Sequence, residues 1–223
     1  MENLDEIVRQ RHSVRSYTNK SISDEVISII KDEILSCNKE GNLNIQLFIE
    51  EPNAFNTFLA HYGKFKNVKN YITLIGDKST DLEIRCGYYG QRLVLKLQEL
   101  GLNSCFVAMT YGKKKVPCKL EKGQKLVCSI AFGYGETAGV AHKIKTLEDV
   151  SLKKDNLPDW YKKGIEFALL APTAMNQQKF KFNLVDENTV EVKALKGFYS
   201  KVDLGIVKYN FELGALKSNF KWK

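Results

Sequence analysis

The chain has 223 residues, of which 43% are hydrophobic and 27% charged, with a formal net charge of +8. Its 15 glycines and 4 prolines are too few for a low-complexity or disordered chain, and the length suits one domain or two intimately packed halves. No apolar run approaches the roughly 18 residues of a membrane span, and the acidic start Met1-Glu2-Asn3-Leu4-Asp5-Glu6 is unlike a signal peptide; a soluble, cytoplasmic protein is expected.

The first strong helix signal begins at Ser23, an N-cap candidate followed by Asp24 and Glu25 at the positive helix end. Val26, Ile30 and Ile34 recur at helical spacing, with Ile27 and Leu35 expected on the same side. After a polar turn around Gly41, Ile45, Leu47 and Ile49 alternate as in a half-buried strand. Residues 71–76 predict a second strand. Residues 83–100 predict a long helix closed by Gly101, and Gly87 and Gly90 within it would let another backbone approach closely. Residues 127–132 predict a further strand, ending at Gly133-Tyr134-Gly135.

Pro158 suits the first turn of a helix that runs to Ala171, where Pro172 stops it. Phe180, Phe182 and Leu184 alternate as a strand. Asp186-Glu187-Asn188 turns the chain, and Val190 and Val192 return it. A last helix carries Leu204, Val207, Phe211 and Ala215 on one stripe. This order repeats itself: residues 45, 47 and 49 stand 135 positions before residues 180, 182 and 184 (180 − 45 = 135), and the glycine-bearing helix near Gly87 matches the one near Gly205. Pattern alone leaves duplication and shared packing needs equally open.

The five cysteines are scattered without a CxxC pair, which points to reduced structural thiols. His12, His61 and His142 are far apart, so no metal site is expected. The lysines are dispersed apart from Lys113-Lys114-Lys115 and the tail, with no nucleic-acid-binding motif beside them. A solvated basic surface is the expectation, and no nucleic-acid partner.

Three segments have the residue types for chemistry. Arg11-His12-Ser13-Val14-Arg15 offers two guanidinium groups, an imidazole and a hydroxyl, which suit a phosphate or form an exposed basic turn. Ala171-Pro172-Thr173-Ala174-Met175-Asn176-Gln177-Gln178 sets amides and a hydroxyl at a helix-to-strand junction. Such groups can read a flavin or nucleobase edge, or cap their own loop. Gly133-Tyr134-Gly135-Glu136-Thr137-Ala138-Gly139, followed by His142-Lys143-Ile144-Lys145, is neither a Walker A loop nor a dinucleotide fingerprint. By itself it reads as a surface loop.

Together these segments resemble the FMN-dependent nitroreductase family. Arg11 to Arg15 is similar to its RRSxR-like start, and Ala171 to Gln178 to its APSxxNxQ loop with threonine for serine. Leu100-Gly101-Leu102-Asn103-Ser104-Cys105 resembles its Gly-Leu-Gly-Ser-type turn, and Gly133-Tyr134-Gly135 with Lys143 to Asp149 resembles its carboxyl-terminal ending. The order departs from the family, since the APSxxNxQ-like loop follows the second-half helix. Ser36-Cys37-Asn38-Lys39-Glu40-Gly41 stands after the first helix in its place.

The resemblance therefore implies a two-halved branch in which one chain mimics the usual homodimer. Its fold would be α+β, with antiparallel or mixed sheets flanked by helices. Residues 1–150 would form the phosphate-binding half and 151–223 a shorter ring-binding half, the two sharing one core, and the protein would be a monomer. Arg11, Ser13 and Arg15, with the His12 backbone, would hold the FMN phosphate and ribityl tail, assisted by Lys143 and Lys145. Pro172, Thr173, Ala174, Asn176 and Gln178 would line the ring, and Ala108 and Met109 would approach flavin N5. In such enzymes the flavin takes hydride from NAD(P)H and passes it to a nitroaromatic, quinone or other small flat acceptor, with no protein acid or base required. The alternative is a flavin-fold binding protein with little or no turnover.

Overall fold

A computed structural model describes residues 2–153 and 155–223, so Met1 of the acidic start lies outside the described residues. The chain divides into two units, one comprising residues 10–82 and 92–141 and the other residues 2–9, 83–91 and 142–223.

In the 10–82/92–141 unit, α2 (Asp24–Gly41) starts where its cap is expected, with the Ser23 hydroxyl accepting from the Val26 amide at 3.4 Å. Ile30, Ile34 and Cys37 are its buried side, whereas Leu35 is 65% exposed. Leu35 is one position beyond Ile34, about 100° around the helix, which turns it away from the stripe. β1 (Gln46–Phe48), β2 (Asn70–Asp77), β4 (Gln124–Gly133) and β3 (Asn103–Val107) form an antiparallel sheet in the order β1-β2-β4-β3. Between β1 and β2 lies the short α3 (Phe58–Tyr62), capped by the Thr57 hydroxyl.

The core of this unit is strongly aromatic. Phe55 stacks on Tyr111 and meets Phe65 edge-on, and Phe48 stacks on Tyr71. Leu126 and Ala131 of β4 both join that cluster although an odd five positions apart, because the pairing of β4 with β2 shifts register between Leu74 and Ile75, and Tyr17, also in the cluster, donates its hydroxyl to the Val14 carbonyl at 2.6 Å. Rings of this size remove much apolar surface from water per residue, which is why few residues suffice.

In the other unit, α1 (Glu2–Gln10) is tied to α6 (Asp159–Leu169) through Arg9 with Glu166 and Lys163 with Asp5. The expected helix to Ala171 stops at Leu169, because the residues before Pro172 are already leaving helical geometry. β5 (Phe180–Leu184) and β6 (Thr189–Ala194) pair antiparallel as expected, and β7 (Lys221–Trp222) adds a parallel edge. α7 (Ser200–Ala215) buries Leu204, Val207, Phe211 and Ala215, the stripe expected from its spacing. Phe211 stacks on Phe182 and meets Tyr161 edge-on. α4 (Leu82–Glu99) contributes residues 83–91 here, where Gln91 donates to the Asn210 side chain of α7 at 2.9 Å. The short α5 (Leu147–Val150) is closed by Asp149 accepting from Thr146. Among the described residues no disulfide is formed, and no helix is long and apolar enough to cross a membrane.

Candidate functional site

The basic segment at 11–15 is not a free turn. Ser13 forms a parallel bridge with Ser104 of β3, and the Val14 amide donates to the Ser104 carbonyl at 3.0 Å. The segment thereby extends the sheet on its β3 side. In an extended stretch alternate side chains face opposite ways, and the register gives Arg11, Ser13 and Arg15 a common side. They gather around Cys105, whose thiol donates to the Phe106 carbonyl at 3.4 Å, while Ser13 and both guanidinium groups favour its thiolate form. Burial nevertheless dominates and pushes the Cys105 thiol up.

Arg11 is 3% exposed, and its Nε has no hydrogen-bond partner. Neither Arg11 nor Arg15 makes an ion pair among the described residues; Arg15 is exposed, its guanidinium over the Phe65 ring at 5.9 Å. Burial drives the Arg11 pKa down to about 10, and no carboxylate opposes that. A buried cation without a counter-charge is unfavourable unless something supplies one. The planar guanidinium fork matches the geometry of an anion with several oxygens, such as a phosphate.

The glycine loop joins the same neighbourhood. The Gly135 amide donates to Asn103 Oδ1 at 3.1 Å, the Glu136 amide to the Ser16 carbonyl at 2.9 Å, and a Cβ on Gly139 would meet His12 Cβ at 2.7 Å. The loop is at the surface, as its sequence suggests, with Glu136, Thr137 and Ala138 exposed, and its glycines let it lie against the 12–16 backbone. Ala108 and Met109 follow the end of β3, partly exposed and 65% exposed respectively.

The other unit holds Lys143, Lys145 and the 172–178 loop, laced to one another. Gln178 is 3% exposed. Its amide nitrogen donates to the Lys143 carbonyl at 2.8 Å and to Asn176 Oδ1 at 2.9 Å, its side-chain oxygen accepts from the Lys145 amide at 2.9 Å, and its own backbone amide donates to the Thr173 hydroxyl at 3.0 Å. Asn176 also donates to the Lys143 carbonyl. The Lys145 ammonium donates to the carbonyls of Gln177 and Gln178. The amides and the Lys145 charge are thus engaged in holding two loops together, while the Lys143 side chain is exposed.

The loop's backbone is unusual. Met175, Asn176 and Gln178 all have left-handed φ, at 53°, 52° and 45°, and left-handed geometry is unfavourable for residues with a Cβ. Pro172, Thr173 and Ala174 are half-buried and enter the turn from the end of α6. Asp203 of α7, which sequence reading missed, accepts from the Ala174 amide at 2.9 Å and from Gln177 Nε2 at 2.7 Å. One signal for it existed: an aspartate inside the apolar run Val202 to Val207.

An antiparallel sheet with flanking helices, a basic segment running beside its outer strand and a polar helix-to-strand loop define a nitroreductase-like α+β protein. A family model described as "Putative TM nitroreductase" matches residues 3–215; the chain belongs to this nitroreductase family. Among solved structures, a Thermotoga maritima chain named as a nitroreductase matches over 95% of this chain and 82% of its own, with TM-score 0.67 and 21% identity. A Desulfovibrio desulfuricans nitroreductase in complex with FMN matches over 70% and 98%, with TM-score 0.56 and 17% identity. A Bacteroides thetaiotaomicron chain named as an NADH dehydrogenase/NAD(P)H nitroreductase matches over 66% and 95%, with TM-score 0.53 and 19% identity. At these identities the likeness is one of fold. Comparison with curated proteins gives no match.

Proposed function

We propose that this chain binds FMN and acts as a flavin-dependent oxidoreductase, taking hydride from NAD(P)H and delivering it to a nitroaromatic, quinone or other flat acceptor. The observation that carries the reading is Arg11, buried, without an ion pair and with Nε unpartnered. The residues present fit the phosphate of FMN: Arg11 and Arg15 supply charge and Ser13 a hydroxyl, with the His12 backbone beside them. Lys143 assists in the phosphate role, whereas Lys145 acts indirectly by fixing the loop it binds.

Pro172, Thr173, Ala174, Asn176 and Gln178 form the ring cradle through the shape of their backbone more than through free amides, because those of Asn176 and Gln178 are spent internally. Ala108 and Met109 border the ring at the end of β3. Bound flavin supplies the two-electron chemistry, and the chain supplies binding, orientation and electrostatics. No side-chain acid or base is assigned.

The reading includes an internally duplicated chain, with halves at 1–150 and 151–223, that works as a cytoplasmic monomer. It is supported by the recurrence of α2–β1 as α6–β5 and by the glycine contact of α4 with α7. The test is direct: the purified protein should be yellow, release FMN on denaturation and bleach anaerobically with NADH or NADPH. A colourless protein that rejects added FMN contradicts the cofactor. A yellow one that neither nicotinamide bleaches contradicts turnover and leaves a flavin-binding protein.

A further inference from the structure

The geometry points to Asp203 as the positioning residue of the 173–178 loop, its carboxylate holding the turn that shapes the ring cradle. The inference rests on the FMN reading for its consequence, not for its geometry. A loop with three non-glycine residues in left-handed geometry within four positions persists only where its surroundings over-determine it. Much of that determination converges on one carboxylate. Oδ1 accepts from the Ala174 amide at the loop entry, and Oδ2 accepts from Gln177 Nε2 between the strained residues Asn176 and Gln178. The same Nε2 donates to the Phe198 carbonyl at 2.6 Å. Gly197 makes this insertion possible, because a Cβ there would lie 2.4 Å from Gln177 Oε1.

Asp203 is 4% exposed and flanked by Val202 and Leu204, and it makes no ion pair among the described residues. Burial of an unpaired carboxylate is unfavourable, so charge pairing does not account for its place. The two donors from the loop do. Burial pushes its carboxyl up to about 6, with the Ala174 amide and the Gln177 side chain pulling the other way. At neutral pH both oxygens are therefore acceptors, as the two bonds require.

The test compares wild type, Asp203→Ala, Asp203→Asn and Gln177→Ala by amide hydrogen exchange without FMN and by FMN fluorescence titration. Asp203→Ala should keep its far-UV circular dichroism, exchange the 174–178 amides about tenfold faster and bind FMN about tenfold more weakly. Asp203→Asn retains an acceptor for the Ala174 amide and should restore part of both losses. Gln177→Ala added to Asp203→Ala should weaken FMN no further. If Asp203→Ala fails to fold, the Asn and Gln177 variants decide by the same exchange readout. Unchanged exchange in 174–178 overturns the inference, and so does faster exchange with unchanged FMN affinity. A wild type that takes no FMN overturns the functional reading, while the exchange data still decide the role of Asp203.

Discussion

Gly87 and Gly205 occupy reciprocal places in the contact of α4 with α7. A Cβ on Gly87 would come within 2.0 Å of the Val202 carbonyl oxygen, and one on Gly205 within 1.9 Å of the Ile84 carbonyl oxygen. In both helices the touched carbonyl stands three residues before the glycine, since 87 − 84 and 205 − 202 both equal 3. Residue i meeting j while j meets i is the signature of a two-fold, self-complementary interface. Here both helices belong to one chain, which the proposed internal duplication would account for. Gly87→Ala and Gly205→Ala should each destabilise by about 3 kcal/mol or more, because backbone, unlike a flexible side chain, has nowhere to yield. Together they should cost less than their sum, since either one separates the helices. Urea unfolding checks both statements.

Arg11 should trade stability for binding. Replacing a buried, unpaired cation by an apolar residue of similar length removes a desolvation penalty, so Arg11→Met should raise the melting temperature of the FMN-free protein. Inorganic phosphate or FMN should raise the melting temperature of wild type, by linkage, and at the same ligand concentration should raise that of Arg11→Met by less. A thermal shift series with and without ligand measures this.

Asp203 fixes a pH dependence. Its carboxyl is raised from 3.8 to about 6, so between those values the folded protein holds a proton that the unfolded chain has released. The group's contribution to stability therefore falls as pH rises through that window, by on the order of 3 kcal/mol in all. Unfolding free energies between pH 4 and 7 should decline for wild type relative to Asp203→Asn. Parallel profiles would remove the carboxylate from the account.

Gln178 and Asn176 should separate in magnitude. Gln178 is buried and joins Thr173, Asn176, Lys143 and Lys145, whereas Asn176 is exposed. Gln178→Ala should destabilise by about 2 kcal/mol or more, because it removes the three side-chain hydrogen bonds of a buried residue, to Lys143, Lys145 and Asn176. Asn176→Ala should be close to neutral for folding, with a weaker grip on FMN as its main effect. Calorimetry and FMN titration of the two variants distinguish them.

Elements governed by local rules were legible in the sequence. Ser23 announced α2, period-two alternation announced β5 and β6, and the α7 stripe was read correctly through Ala215. α1 and β3 were not, for physical reasons. α1 is short and polar, and its ties to α6 through Arg9 with Glu166 and Lys163 with Asp5 span more than 150 positions of sequence. β3 begins directly after the turn at Gly101, and its pairing partners lie in β4 and at Ser13. The candidate site divided in the same way. Residue types in RHSVR and APTAMNQQ suggested a phosphate and a flavin ring, but only tertiary structure revealed that Arg11 lacks a counter-charge. It also revealed that the amides of Asn176 and Gln178 serve the loop, and that a carboxylate 29 positions after Ala174 (203 − 174 = 29) holds it.

The most direct test of the whole account is a fluorescence titration of FMN into wild type and Arg11→Gln at fixed, low salt. Saturable quenching by wild type, weakened about tenfold or more in the variant, is the predicted result, as expected from losing a charged hydrogen-bonding partner. Equal affinity in the two proteins, or no quenching by wild type, would contradict it.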